Sequence, residues 1–137
     1  MSYHTIIIVG NLGKDPEMRY TPSGQPVTTL SVATNRKYSN SAGQAVTEKT
    51  WFKVSVWGKQ AEASNTFLKK GSLVLVEGRM VPDANGNPRI YTRGDGTPGA
   101  NFEVTAQTVR FLSSNGAHGD GSEMPEGAEV GEGDIPF

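Results

Sequence analysis

Thr50-Trp51-Phe52-Lys53-Val54-Ser55-Val56-Trp57 alternates without a break. Successive strand residues point to opposite faces, so Phe52, Val54 and Val56 share one apolar face. Trp51, Lys53, Ser55 and Trp57 share the other. The first is a natural core face; the second sets two tryptophans beside a lysine on the solvent side. Trp51 and Trp57 stand six residues apart, roughly 20 Å along an extended strand, room for several unpaired bases. Stacking a base on such a ring is worth about 1–3 kcal/mol and tolerates any sequence. The competing reading makes the two rings core or a subunit contact. Against core stands the opposite face, which already supplies one.

Outward from this strand the signals are mostly β. Thr5 to Leu12 and Val27 to Lys37 read as the first and second strands, with turn-forming Pro22-Ser23-Gly24-Gln25-Pro26 between them. Ser72 to Val81 is the fourth, with Gly78 a site for a bend or bulge, and Phe102 to Leu112 the fifth. Helical periodicity shows only over Gln60 to Lys70, with Ala61, Ser64, Phe67 and Leu68 on one face. Lys69 and Lys70 suit a helix C-terminus there, and Gly71 stops it. Five strands with one short helix between the third and fourth is the order of an OB-fold, a Greek-key barrel. The expected class is all-β.

Other aromatics are harder to place. Tyr38 has the parity of the core residues Leu30 and Val32, so it lies past the strand end, follows a bulge, or is buried. Tyr91 follows the Asn85-Gly86 turn signal, where a hairpin between the fourth and fifth strands is expected. Phe67, Phe102 and Phe111 read as core. Ile6-Ile7-Ile8-Val9 is apolar without alternation, so both faces of the first strand are expected to be covered. A second subunit would cover the outer one; a long loop is the alternative.

The net charge of −1 hides a polarised chain. All thirteen lysines and arginines lie between Lys14 and Arg110, with eight acids, giving residues 1–112 a charge of +5. Residues 113–137 hold six acids and no base, −6. A basic domain with a polyanionic partner and an acidic tail with a separate task fit this split; a tail that merely aids solubility fits it as well. Residues 113–131 are rich in glycine and acids and poor in large apolar side chains, a composition expected to stay disordered. Residues 132–137 close on apolar Ile135, Pro136 and Phe137.

Several function classes find no support. There is no cysteine, and His4 and His118 lie at opposite ends of the sequence, so no metal site or cofactor is expected. The longest apolar run, Ile6 to Val9, is too short to span a membrane, and nothing resembles a signal peptide, so a cytoplasmic location is expected. Gly10-Asn11-Leu12-Gly13-Lys14 has two residues where a phosphate loop has four, and Asp15 stands in place of its hydroxyl. Arg93-Gly94-Asp95 reads as part of a Gly/Pro-rich loop. No arrangement of nucleophile, base and acid argues for an enzyme.

From Val9-Gly10-Asn11-Leu12-Gly13-Lys14-Asp15-Pro16-Glu17-Met18-Arg19-Tyr20 the chain resembles bacterial single-stranded DNA-binding proteins. Leu30-Ser31-Val32-Ala33-Thr34 and Trp51 to Lys59 continue the likeness. So do Lys69-Lys70-Gly71-Ser72, Val76-Glu77-Gly78-Arg79 and the terminal Asp134-Ile135-Pro136-Phe137. The resemblance implies a homotetramer of OB-folds that wraps single-stranded DNA, associated with the nucleoid. It maps the family's stacking aromatics onto Tyr38, Trp51 and Trp57, and its basic contacts onto Lys53, Lys59 and Lys70. It implies that Asp134, Ile135, Pro136 and Phe137 dock replication, recombination and repair proteins. Two departures stand out. The stretch from Met80 to Tyr91 lacks the family's Arg/Thr-rich run with a tryptophan, leaving Tyr91 as the candidate substitute, and Gly133 interrupts the acids of the tip. The rival function is an OB-fold adaptor of replication restart working through protein contacts, which leaves the solvent-side tryptophans unexplained.

Overall fold

The computed structural model describes residues 1–112. Eight strands and one helix follow in order: β1 (Ile6–Leu12), β2 (Glu17–Tyr20), β3 (Pro26–Ser39), β4 (Ala45–Trp57), α1 (Lys59–Phe67), β5 (Leu73–Met80), β6 (Ile90–Thr92), β7 (Pro98–Ala100) and β8 (Phe102–Phe111). The main sheet runs β1-β5-β8-β4-β3-β2, and β1 also pairs with β3, which closes a barrel of five strands. Those five are the strands expected from sequence, and with the helix between β4 and β5 they make the OB-fold. Two seams are short. β1 meets β3 at two residue pairs, and β4 meets β8 in parallel over Phe52↔Phe102 to Ser55↔Thr105.

The core follows the alternation. Val54 and Val56 of β4 are fully buried among Leu30, Val32, Val74, Val76 and Val104, and Phe52 packs against their rim. Thr28 is also buried; its Oγ1 donates to the Ala61 carbonyl at 2.7 Å and ties the helix to β3. Gly78 sits at the irregularity between β5 and β8, where a Cβ would come within 2.1 Å of the Thr105 carbonyl oxygen. The bulge read from sequence is therefore present, and the backbones approach too closely there for any side chain.

Several expectations are corrected. The helix ends at Phe67, not Lys70, and Leu68 is already extended. Lys69 and Lys70 thus lie beyond it, and Gly71 (φ 92°) serves a turn whose N–H donates to the Leu12 carbonyl. Ala61, Ser64 and Leu68 form the buried stripe, while Phe67 falls beside it and is 63 % exposed. Phe102 and Phe111 are exposed as well. These rings pair at the barrel's margins, Phe102 with Phe52 (centroids 5.8 Å apart) and Phe67 with Phe111 (6.3 Å), rather than filling it. β2 was not foreseen; it adds to the edge of β3. Asn85-Gly86 does turn, closed by the Asp83 N–H to Asn87 carbonyl bond, but no simple hairpin joins β5 to β8. A separate hairpin of β6 and β7, turning at Arg93 to Thr97, is inserted between them. Of the two covers expected for the outer face of the first strand, no loop of the described residues supplies one: Ile8 is buried, whereas Ile7 and Val9 are exposed within the single chain.

Candidate nucleic-acid interface

The open face of the barrel can be read from the register in rows. Trp57 of β4 stands opposite Val27 of β3, itself opposite Arg19 of β2. Ser55, Thr29 and Glu17 form the next row, then Lys53 opposite Ser31, then Trp51 opposite Ala33. Both tryptophans are on this face and about half exposed (Trp51 49 %, Trp57 40 %). Each faces a buried aliphatic residue that lies outside the main core cluster, Ala33 or Val27. A face that hides small side chains and displays large rings is organised to offer those rings.

Trp51 is seated with particular closeness. A Cβ on Gly13 would fall 2.4 Å from its Cη2 and Cζ3, so the loop after β1 passes against the indole, and a side chain there would push the ring aside. Beside it opens a cleft of about 530 Å³ lined by Gly13, Lys14, Glu17, Arg19, Trp51 and Lys53 among others. Three cations against one carboxylate make it a basic hollow. Lys14 is paired with Glu17 at 3.6 Å, an exposed contact that holds it only weakly. Lys49, two residues before Trp51 on the same face, places its Nζ 5.6 Å from the indole centroid.

The remaining expected residues are not gathered here. Lys59 opens α1, and Lys70, whose backbone N–H donates to Asp15 Oδ1, lies in the turn after it; neither lines the cleft. β3 and β4 continue beyond the barrel as a two-stranded arm in unbroken register to Ser39↔Ala45. Tyr38 lies inside β3, follows no bulge and is 41 % exposed, so none of the three options offered by its parity holds. It keeps the core parity of Leu30 because the strand outlasts the core, which puts it on the face of the ladder opposite Trp51. Tyr91, on β6, borders a separate hollow with Asp83, Arg89 and Glu103. A Cβ on Gly99 would come within 2.7 Å of its ring, and Arg93 lies 5.9 Å from its centroid. Backbone N–H groups, that of Asn87 first and then Asn85, hold the Asp83 carboxyl below its usual range; Thr97, through hydroxyl and then N–H, does the same for Asp95. Both acids brace turns. Asp134, Ile135, Pro136 and Phe137 lie outside the described residues.

Sequence reading does not single out Lys14, Arg19 or Lys49. Arg19 was legible in principle, since Glu17-Met18-Arg19-Tyr20 alternates, but four residues between turns carry little signal.

Comparison with known proteins bears on this surface. A sequence profile of the single-strand binding protein family matches residues 3–112. The chain belongs to that family. The single-stranded DNA-binding protein of Wolinella succinogenes is 37 % identical over 121 residues, which cover 88 % of this chain and 71 % of that one. Single-stranded DNA-binding protein 3 of Listeria innocua is 43 % identical over 119 residues, 85 % of this chain and 69 % of the relative. Among solved structures, a deletion mutant of the single-stranded DNA binding protein from Thermus aquaticus matches with a TM-score of 0.62 at 28 % identity. It covers 80 % of this chain and 50 % of its own. The Plasmodium falciparum SSB, solved with ssDNA, has a TM-score of 0.68 at 21 % identity over 82 % of this chain and 97 % of its own, a likeness of fold. Within the described residues no helix is long and apolar enough to cross a membrane.

Proposed function

We propose that this member of the single-strand binding protein family binds and protects single-stranded DNA without sequence readout during replication, recombination and repair. The observation that carries the reading is the pair Trp51 and Trp57, half exposed on one face, each over a buried aliphatic, with Arg19 and Lys53 between and beside them. Bases stack on the two indoles, and the lysines and arginines take phosphates with release of counterions, so affinity falls with salt. Tyr38 and Tyr91 extend the path to strands that run over the arm and the β6–β7 hairpin, and Lys59 and Lys70 contribute to the field around it.

The functional unit in this reading is a homotetramer of nucleoid-associated, cytoplasmic protein. Ile7 and Val9, exposed on the outer face of β1, with Leu75 paired opposite Val9, support a covering copy. The −6 charge of residues 113–137 and the apolar Ile135, Pro136 and Phe137 support a tip that recruits replication, recombination and repair proteins. Titrating oligo(dT) and a duplex of equal length against tryptophan fluorescence tests the central claim. Strong quenching by the single strand and weak response to duplex is expected; equal binding of both would sink it.

A further inference from the structure

On the arm, Arg36 of β3 and Glu48 of β4 are direct partners in the register, and their side chains meet with Nε 2.9 Å from Oε1. The same guanidinium lies 4.5 Å from the centroid of the Tyr38 ring, two residues along β3 and therefore on the same face. No residue from Thr34 to Thr50 is buried, so no core holds this ring in place. Two other exposed rings have a cation two residues away, Trp51 with Lys49 and Tyr91 with Arg93, but at 5.6 and 5.9 Å. Neither cation has an acidic partner among the described residues. Arg93 is held instead by the Thr97 hydroxyl and the Pro98 carbonyl, so of the three only the Arg36 guanidinium is both close to its ring and held by an acid.

We propose that Glu48 is a positioning residue for DNA binding: it holds the Arg36 guanidinium against one face of Tyr38, so that the other face receives a base. The product is a three-layer stack of base, phenol ring and guanidinium. This deepens the single-strand reading above and depends on it. An acid on a surface that attracts a polyanion is unfavourable by charge alone. Its cost is offset here because the planar guanidinium hydrogen-bonds the carboxylate through Nε while its face lies over the ring, which an ammonium cannot do. A ring ordered before the DNA arrives loses less side-chain freedom on binding. Glu48 therefore acts through Arg36 and Tyr38, and touches no nucleotide itself.

The sign of one substitution separates this from plain electrostatics. Binding of oligo(dT) at fixed salt is measured for the full chain, for Glu48→Gln, for Tyr38→Ala and for the double variant. Loss of an acid beside a polyanion would by itself tighten binding. The proposal requires Glu48→Gln to weaken it, about two- to five-fold, and to have no further effect once Tyr38 is alanine. Equal or tighter binding by Glu48→Gln overturns it, and so does a loss that persists in full in the Tyr38→Ala background. Failure of the unsubstituted chain to bind oligo(dT) would instead overturn the single-strand reading itself.

Discussion

Trp51 and Tyr38 occupy the same two-stranded ladder, yet the structure treats them differently. Trp51 lies where the ladder is half of a barrel: one face is committed to the core, so the other is the only one that can meet a ligand. Tyr38 lies where the ladder runs free. Both faces are solvated there, and alternation no longer says which one works. On the barrel, position is enforced by packing, with Gly13 and Ala33 against or opposite the indole. On the arm no core holds the ring, and its nearest cation, Arg36, is paired with Glu48 at 2.9 Å. A surface backed by a core is legible from parity; one on a free arm has to be read from its ion pairs.

The contrast can be broken most directly by removing the rings. Trp51→Ala and Trp57→Ala are each expected to weaken oligo(dT) binding about 5- to 150-fold, the worth of one stacked base, while Tyr38→Ala costs less. Titration at one salt concentration checks this, and a larger loss from Tyr38 would reverse the ranking of the two regions. A smaller effect sharpens the role of packing. Gly13→Ala should displace the Trp51 indole and weaken binding by about ten-fold, with a shifted Trp51 emission in the free protein. The same substitution at Gly43, at the arm's tip, meets no neighbouring atom. It should leave binding unchanged despite some strain at its positive φ. Smallest of all is a change aimed only at the barrel's interior. The Ser64 hydroxyl is buried without a hydrogen-bond partner, so Ser64→Ala is expected to stabilise the fold by about 1 kcal/mol, read from denaturant midpoints, with DNA affinity unaltered.

Most of the fold was open to reading from alternation, from one unbroken apolar run at Ile6 to Val9, and from turn residues. The five barrel strands, the single helix and the bulge at Gly78 all declare themselves through period or through a glycine. What escaped had weak local signal or depended on distant partners. β2 is four residues long, and β6 and β7 are three each. Phe67, Phe102 and Phe111 look like core by composition, but the barrel is filled by valine and leucine, and the rings remain at its rim. Of the candidate surface, the shared face of Trp51, Lys53 and Trp57 followed from the alternation of one strand. Arg19 joins Trp51 and Lys53 in the cleft because β2 folds back beside β3, and Lys14 joins them from the loop after β1, which no single stretch of sequence discloses.

The contact between Gly13 and Trp51 also has a meaning in evolutionary terms. Position 13 follows the end of β1 and position 51 lies in the middle of β4, far apart in the chain, yet the room for a side chain at one is taken by the indole of the other. The two positions are coupled, so that a change at one alters the effect of a change at the other. A side chain gained at 13 requires the ring at 51 to shrink or turn.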